Sequence, residues 1–319
     1  MTSRTLLRQI LDGFRDRGWQ DRGGAANQLA SLVESRKALG PKAIREVVSS
    51  TFLARNDASV GEILSLMNDL TPLTTPATAT ALVLTALPAE FAAVRAVVEV
   101  GGEARTPTGG RYTTGMFDGD NLRWSVVIGE LGPGNIGAAA EASQAMLHFS
   151  PDIVIFCGVA GGLKEDARPG TVVIAERVYL YESRKETDES LARPEGYPTS
   201  FRLLQLAKEV ARTFATPALV KPIAAGDVLL SSSTSPTASR LRTQYNDAVA
   251  IDMESAGVYL AAFRLDSQPV ISIRGISDQL DDKTAQADHE RQPAAAMRAA
   301  DFLASFLTEA DSVDILGTT

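Results

Sequence analysis

The 319-residue sequence contains few of the residue types on which several common protein classes depend. Its one cysteine, Cys157, has no second cysteine with which to form an intramolecular disulfide. Its two histidines, His148 and His289, are too few for a histidine-rich metal site. These shortages disfavour a disulfide scaffold and a zinc enzyme, and we expect a protein that needs no metal and no cofactor.

Excess positive charge and long apolar runs are also absent. With 31 basic and 39 acidic residues the formal charge is -8, so we expect no nucleic-acid partner and no anionic-membrane partner. No stretch approaches the ~18 apolar residues of a membrane span, and charges interrupt the apolar positions of residues 1–18, unlike a signal peptide. The sequence therefore predicts a cytoplasmic protein.

The chain divides into two parts that differ in pattern and in charge. Residues 1–70 place apolar residues at helical spacing, which predicts a small helical domain. Residues 71–80 are rich in threonine and proline and are interpreted as a linker. Residues 1–75 carry a net charge of +2 and the remainder -10, which supports two separate units.

Beyond the linker, short β-rich apolar runs alternate with helical stretches. The runs predicted as buried strands are 81–85, 124–128, 153–156, 172–174 and 270–273. Helical periodicity appears at 89–99, 136–149, 200–215, 254–264 and 293–309. This alternation predicts an α/β domain over 81–319 with a mostly parallel sheet covered by helices. Ligands bind such sheets where loops leave the carboxyl ends of strands.

A glycine-rich segment, Gly132-Pro-Gly-Asn-Ile-Gly137, fits the spacing of a dinucleotide-binding loop. A dinucleotide site also needs an acidic residue at the end of the next strand, but the run 153–156 ends in Cys157-Gly158-Val159. NAD binding is therefore disfavoured. Two interpretations stay open: a loop whose backbone approaches an anion or a hydroxyl, and a plain tight turn before a helix.

Four further segments lie at predicted strand ends and carry polar residues: 86–90, 157–163, 251–256 and 274–278. With Gly226-Asp227 between them, they resemble the nucleoside phosphorylase and nucleosidase superfamily over about 80–310. The resemblance is greatest to its hydrolytic branch, the methylthioadenosine/S-adenosylhomocysteine nucleosidases and the AMP nucleosidases. It implies a central mixed, partly barrel-like sheet flanked by helices.

The resemblance implies three catalytic carboxyl groups. Asp278 would protonate or hydrogen-bond the purine N7, Glu254 would bind the ribose hydroxyls, and Glu90 would orient and deprotonate a water. Cleavage of an N-ribosidic bond passes through an oxocarbenium-like sugar, which requires these three tasks. The expected substrate contacts are Met253, Ala86, Gly132, Gly134, Val159, Leu229, Leu230 and Ser277.

Each of the three carboxyl groups also has a structural interpretation. Glu90 could be an exposed residue in the first turn of its helix, favoured there by the helix dipole. Glu254 could cap the helix that follows it, and Asp278 could close a turn after a strand. Three carboxyl groups at strand ends around one crevice favour the catalytic interpretation over these three separate ones.

The segment after the Gly-Asp pair departs from the pattern of the methylthioadenosine enzymes. Those enzymes usually follow the pair with an aromatic residue that stacks on the purine, whereas this chain reads Gly226-Asp-Val-Leu-Leu230. Leu229 and Leu230 can hold a base by apolar contact without ring stacking. The preference for a purine is therefore less firmly predicted than the type of reaction.

Three residues outside these segments receive structural interpretations. Cys157 is predicted to be a buried, unreactive side chain. His148 is predicted to be a structural histidine among apolar neighbours on the helix 136–149. His289 falls in a polar segment, 281–290, that is predicted to be a loop.

The sequence thus favours a nucleosidase that cleaves the N-glycosidic bond of an adenine nucleoside or nucleotide with water. One alternative is a phosphate-dependent purine nucleoside phosphorylase, and another is a nucleoside-binding sensor or adaptor without turnover. We expect a homo-oligomer, a dimer or higher. Residues 1–70 are similar in size and placement to helical adaptor domains of bacterial conflict systems, which implies a protein partner and an antiviral effector role. Otherwise they are an oligomerisation element.

Overall fold

The computed structural model describes residues 77–316 except Thr187, Glu189, Ser267 and 281–284. For residues 285–290 it describes the backbone and not the side chains. The predicted helical domain 1–70 and the first part of the predicted linker, 71–76, lie outside the described residues.

The described part of the chain alternates strands and helices. The strands are β1 (Ala77–Thr85), β2 (Glu99–Arg105), β3 (Arg111–Asp118), β4 (Leu122–Glu130), β5 (Ile153–Gly162), β6 (Val172–Leu180), β7 (Arg184–Glu186), β8 (Ser190–Ala192), β9 (Glu195–Pro198), β10 (Ala218–Ala225), β11 (Ala250–Asp252) and β12 (Val270–Gln279). The helices are α1 (Pro88–Val97), α2 (Asn135–Phe149), α3 (Phe201–Thr213), α4 (Pro236–Gln244), α5 (Ser255–Arg264), α6 (Ala285–Glu309) and α7 (Ser312–Leu316).

Most strands belong to one mixed sheet, in the order β11-β10-β6-β12-β5-β1-β4-β3-β2, with β9 paired to β6. Strands β1 and β12 flank β5 in parallel, whereas β12 and β6 are antiparallel. Strand β11 is parallel to β10 and also pairs with β5 in antiparallel orientation. Five strands therefore close into a ring, and the predicted mixed, partly barrel-like sheet is confirmed.

Local sequence explains where the elements around the site begin and end. Strand β5 is apolar along its length and almost wholly buried, as expected of a strand with parallel neighbours on both sides. Helix α2 follows Gly134, whose φ of 101° is unfavourable for other residues, and its last turn leads into Ser150 in the left-handed region. Helix α1 begins with Pro88 at its first position, where a missing N–H costs nothing.

The helices cover the sheet in two groups. Helix α6 packs against β12, β5 and α1, and α5 packs against α2. The first contact is close, because a Cβ at Gly275 of β12 would lie 1.9 Å from the Ala295 carbonyl oxygen. The second is also close, because a Cβ at Gly257 would lie 2.1 Å from the Asn135 carbonyl oxygen. No helix of the described part is long and apolar enough to cross a membrane.

The predictions differ from the structure in several places, and three of the differences have a local cause. Strand β1 begins at Ala77, inside the predicted linker, because it contains no proline and threonine is favourable in strands. The pair β2–β3 was not predicted, since three glycines and several charges interrupt the apolar pattern of the two strands. The prediction of a loop over 281–290 is wrong for residues 285–290, where α6 has already begun.

Candidate active site

Glu90 lies on α1 directly after β1 and is only 2% exposed, so the interpretation as an exposed residue is wrong. Backbone N–H groups of Ala86 and Leu87 donate to its Oε2 at 2.7 and 3.0 Å. The Val159 N–H, from β5, donates to Oε1 at 2.7 Å. Burial raises the pKa of Glu90, while the Arg274 guanidinium and these three donors oppose that rise. The carboxylate is therefore fixed between the end of β1 and the C-terminal half of β5.

Arg274 on β12 faces this carboxylate and has no exposed surface. Its Nη1 lies 3.9 Å from Glu90 Oε1. Gly158 leaves the space in which the two side chains meet: a Cβ there would lie 2.3 Å from both Arg274 Nη1 and Glu90 Oε1. A side chain at position 158 would therefore separate or displace the pair.

The other edges of the Arg274 guanidinium are also held. Its Nε donates to Asp252 Oδ2 at 2.9 Å, and its carbon lies 3.5 Å from the centroid of the Phe156 ring. Sequence analysis did not assign a role to Arg274 or to Asp252. They are 22 positions apart, and only the pairing of β12 and β11 with β5 brings them together.

Glu254 follows β11 and is 7% exposed. Its side chain makes no capping hydrogen bond to α5, so the cap interpretation is wrong; the Ser255 N–H donates to Asp252 Oδ1 instead, at 3.2 Å. Glu254 Oε1 accepts a hydrogen bond from the Gly134 N–H at 3.1 Å. Burial, together with the negative charge of Asp252, raises the pKa of Glu254 to about 7.

The glycine-rich loop is fixed by a second carboxylate. Asp227 Oδ1 accepts from the backbone N–H of Asn135 at 2.8 Å and from its side-chain amide at 3.0 Å. The Asn135 side-chain oxygen accepts from the Gly257 N–H at 2.9 Å. This loop therefore lies beside Glu254 and the start of α5, and Asn135 is a further residue that sequence analysis did not single out.

Asp278 lies within β12 and is 4% exposed, so the interpretation as a turn residue is wrong. The register against β5 shifts between Ile276 and Asp278, which makes Ser277 the extra residue of a β-bulge. Asp278 is consequently opposite Gly161, two residues beyond the Glu90 contact at Val159. The Ser277 hydroxyl donates to Asp278 Oδ2 at 2.7 Å.

The remaining predicted contacts differ in their exposure. Ala86 is buried, while Val159, Gly132 and Met253 are half-buried. Leu230 packs into a core cluster with Tyr181, Leu241 and other side chains. Leu229 is 65% exposed. Of the two leucines, Leu229 is the one whose side chain is open to a ligand.

The residues with structural interpretations have mixed outcomes. Cys157 is buried as predicted, and burial raises the pKa of its thiol, which suppresses the reactive thiolate. His148 was predicted to be a structural histidine among apolar neighbours; it lies on α2 and makes an edge contact with Phe149, but it is exposed rather than enclosed by those neighbours. His289 lies on α6. In the described ranges no three His, Cys, Asp or Glu side chains are grouped to hold a metal ion.

The site thus combines buried carboxyl groups with one buried guanidinium at the ends of β1, β5, β11 and β12. A carboxylate in such surroundings can take a proton from a nucleophile, and others can hold hydroxyl groups or stabilise developing positive charge. An α/β enzyme with a ring-closed mixed sheet and a carboxylate-rich strand-end site is the class that the fold and the site define.

Comparison with known proteins agrees with this class. The sequence model of the phosphorylase superfamily matches residues 80–310. The chain therefore belongs to the phosphorylase superfamily.

Similar curated proteins are nucleosidases. The chain is 29% identical over 260 residues to the ATP nucleosidase Cap17 of Escherichia coli, an alignment that covers 71% of this chain and 51% of that protein. It is 28% identical over 179 residues to a 5′-methylthioadenosine/S-adenosylhomocysteine nucleosidase of Lysinibacillus sphaericus, covering 54% of this chain and 75% of that protein. The chain spans about half the length of Cap17.

Solved structures agree in fold. An S-adenosylhomocysteine nucleosidase of Streptococcus pyogenes superposes with a TM-score of 0.63 at 21% identity, covering 74% of this chain and 98% of that one. The futalosine hydrolase of Helicobacter pylori superposes with a TM-score of 0.62 at 22% identity, covering 73% of this chain and 98% of that one.

Proposed function

We propose that this chain hydrolyses the N-glycosidic bond of an adenine nucleoside or nucleotide and releases the free base. The observation that carries this proposal is the state of Glu90: a carboxylate 2% exposed, held by three backbone N–H donors and facing Arg274 Nη1 at 3.9 Å. A fixed, buried carboxylate beside a cation is suited to orient a water and to accept its proton.

Charge favours water over phosphate as the nucleophile. Two buried carboxylates, those of Glu90 and Asp252, share the single positive charge of the Arg274 guanidinium. A phosphate dianion placed beside Glu90 would be repelled by this surplus of negative charge, whereas water would not. Phosphorolysis is therefore the second candidate reaction.

Asp278 and Glu254 take the other two tasks in this proposal. Asp278 protonates or hydrogen-bonds the purine N7 as the base leaves, and Glu254 binds the ribose hydroxyls. Their support is position: Asp278 lies opposite Gly161 on the strand whose Val159 holds Glu90, and Glu254 holds the Gly134 loop. The half-buried Met253 precedes Glu254 and would contact the sugar.

Adenine is the base that the relatives' substrates share. Cap17 is named for ATP, and the Lysinibacillus enzyme is named for 5′-methylthioadenosine and S-adenosylhomocysteine. All three compounds carry adenine on ribose and differ in the 5′ substituent. We therefore assign adenine nucleosides and nucleotides as the substrate class, with the exposed Leu229 contacting the base.

A product assay tests the reaction type. Purified full-length protein is incubated with methylthioadenosine, S-adenosylhomocysteine, AMP, ATP, inosine and guanosine, with and without inorganic phosphate. We expect adenine release from at least one adenine substrate without phosphate and no ribose 1-phosphate. Strict dependence on phosphate would establish the phosphorylase instead, and saturable binding without release of any base would establish a sensor.

The segment 1–70 is proposed to be a separate module for recruitment or oligomerisation. In the recruitment role, it binds a partner protein that brings the enzyme to its place of action. The family match begins at residue 80 and every proposed site residue follows Thr85. A fragment of residues 71–319 keeps all of β1, so we expect it to melt cooperatively and to retain base release. An insoluble or inactive fragment would instead make residues 1–70 part of the catalytic unit.

A homo-oligomer is proposed as the assembly. Two exposed aromatic side chains, Phe201 and Phe263, are 73% and 59% exposed and line one surface groove. Exposed aromatic patches of this kind favour association. Sedimentation velocity of the full-length protein should give a dimer or larger species that Phe263→Asp weakens, and a monomeric wild-type protein would contradict the assignment.

A further inference from the structure

A line of buried hydrogen bonds leads from the interior of the molecule to the Asp252–Arg274 pair. Its members are Tyr259 and Ser255 on α5 and Ser272 on β12, all at most 1% exposed. Ser272 lies two residues before Arg274, and Ser255 lies three residues after Asp252. None of these three residues has a role in the proposed reaction, which is assigned to carboxyl groups.

Counting donors fixes the direction of the bonds near the site. The Ser255 hydroxyl donates its one proton to Asp252 Oδ2, so it can only accept from Ser272 Oγ, 3.0 Å away. Ser272 is therefore the donor of that bond. Arg274 Nη2 also donates to Ser255 Oγ, at 3.4 Å. The Ser255 oxygen thus joins Ser272, Arg274 and Asp252.

The same count applies at Tyr259. Thr199 donates its hydroxyl proton to the Ala175 carbonyl, so the Tyr259 hydroxyl donates to Thr199 Oγ1 at 2.7 Å. The Tyr259 oxygen then accepts the Ser272 backbone N–H at 3.0 Å. Both the backbone and the side chain of Ser272 are consequently fixed, and every hydroxyl proton of the line has an acceptor.

These bonds determine how Arg274 faces Glu90. The guanidinium is held at Nε by Asp252, at Nη2 by Ser255 and on one face by Phe156. A planar group held at two edges and one face has one orientation, and that orientation puts Nη1 beside Glu90. Loss of the Ser255 contacts would let the plane rotate about its bond to Asp252.

We propose that Ser255, Ser272 and Tyr259 are positioning residues of the reaction: together with Asp252 they hold Arg274 where its charge reaches Glu90. This inference rests on the proposed function of Glu90 as the base. The residues act through Arg274 and do not touch substrate. They contribute a fixed electrostatic environment for the Glu90 carboxylate. Because this environment is already in place, it does not have to rearrange during turnover.

The charged and titratable groups around Glu90 make the effect measurable. Those that interact with it electrostatically are Arg274 from β12, Glu254 before α5 and Cys157 on β5. Of these, the Arg274 charge lowers the pKa of Glu90 against the effect of burial. When Arg274 turns away, the pKa of Glu90 rises, and the acid limb of the kcat/KM profile moves to higher pH.

The test compares Ser272→Val with Ser272→Thr, two replacements of nearly the same shape that differ in the hydroxyl group. Both add the same bulk to the buried site, so any packing cost is shared. We expect Ser272→Val to lower kcat on the order of tenfold, less than the ~100-fold cost of a 1 Å displacement, and to shift the acid limb upward. Ser272→Thr should restore both toward wild type. Equal kcat values and equal pH profiles for folded Val and Thr variants would overturn the proposal.

A direct measurement of the Glu90 pKa tests the positioning proposal independently of the proposed reaction. The full-length protein is labelled with ¹³C at glutamate carboxyl groups, and the Glu90 signal is identified by its loss in Glu90→Gln. A higher Glu90 pKa in Ser272→Val than in Ser272→Thr supports positioning even if no substrate is cleaved. If the wild-type protein releases the free base but Glu90 titrates identically in both variants, the positioning proposal is overturned and the proposed reaction stands. If the bulk at position 272 prevents folding, Tyr259→Phe and Ser255→Ala replace the pair, with the same upward shift expected and its absence overturning the proposal.

Discussion

The two sides of the site differ in how firmly they are held. The buried cluster, Glu90, Asp252 and Arg274, is at most 6% exposed, and each member is hydrogen-bonded from two elements or more. The exposed segment, Asp227 to Leu229, lies on the surface and reaches the rest of the site through Asp227 and Asn135. In the proposed reaction, catalysis depends on the buried cluster, whose side chains are fixed, and the adenine is contacted by the exposed segment, which can vary without disturbing that cluster.

The largest expected effect comes from Asp278, the proposed proton donor to the adenine. Asp278 is buried, as the members of the cluster are. Asp278→Asn keeps the size and hydrogen bonding of the side chain but cannot deliver a proton. Base release from adenine substrates should fall by about 10²–10⁴-fold. Calorimetry with a nonhydrolysable adenine nucleoside analogue should show that binding is retained. Wild-type rates in this variant would remove Asp278 from the role of acid.

Gly158→Ala tests how little space the buried cluster can yield. The added Cβ would lie 2.3 Å from both Arg274 Nη1 and Glu90 Oε1. Since both side chains are buried and cannot move into solvent, we expect a loss of about 100-fold in kcat together with a lower Tm. Gly137→Ala is the matched control, because nothing lies within 4 Å of its added Cβ. Equal activity of the two variants would show that the cluster tolerates displacement.

Glu254 gives the free energy of unfolding of the protein a dependence on pH. Its pKa of about 7 exceeds its ordinary 4.5, so between these values the folded state holds a proton that the unfolded state has lost. The wild-type protein therefore loses stability as pH rises through this window. Glu254→Gln cannot titrate, so its Tm should gain on that of wild type from pH 5 to pH 8. The exposed Glu103→Gln serves as control, and parallel curves for Glu254→Gln and wild type would contradict the assignment.

The smallest effects are expected from substitutions in and beside the exposed segment. There, two adjacent leucines should respond differently to replacement by alanine. Leu229→Ala should leave Tm nearly unchanged and raise KM by an amount worth about 1 kcal/mol or less, since its side chain is 65% exposed. Leu230→Ala should lower stability by about 2–4 kcal/mol, because Leu230 packs in a core cluster. Melting curves and KM values measured side by side check both, and a reversed pattern would place Leu230 against the base.

The parts of the fold that sequence predicts best are those whose pattern is local. Strand β5 and helix α2 were predicted because a continuous apolar run and a helical period are visible within one segment. The pair β2–β3 was missed because its stability comes from cross-strand pairing, which no single segment displays. Residues 285–290 were taken as loop because their polar composition hides a helix turn.

The site follows the same division. Glu90, Glu254 and Asp278 could be singled out because they lie in the short segments that carry the family resemblance. Asp252, Arg274 and Asn135 could not, because their roles come from contacts across 22 or more positions of the chain. The bulge at Ser277 was equally hidden, since the register of β12 against β5 has no local signature.

The proposed reaction requires Glu90 to activate the water. Glu90→Gln keeps the shape of the side chain but cannot accept the proton, and the exposed Glu103→Gln is the matched control. Single-turnover base release without phosphate should fall by about 10²–10⁴-fold in Glu90→Gln, with substrate affinity retained and Glu103→Gln unchanged. A fully active Glu90→Gln would contradict the claim.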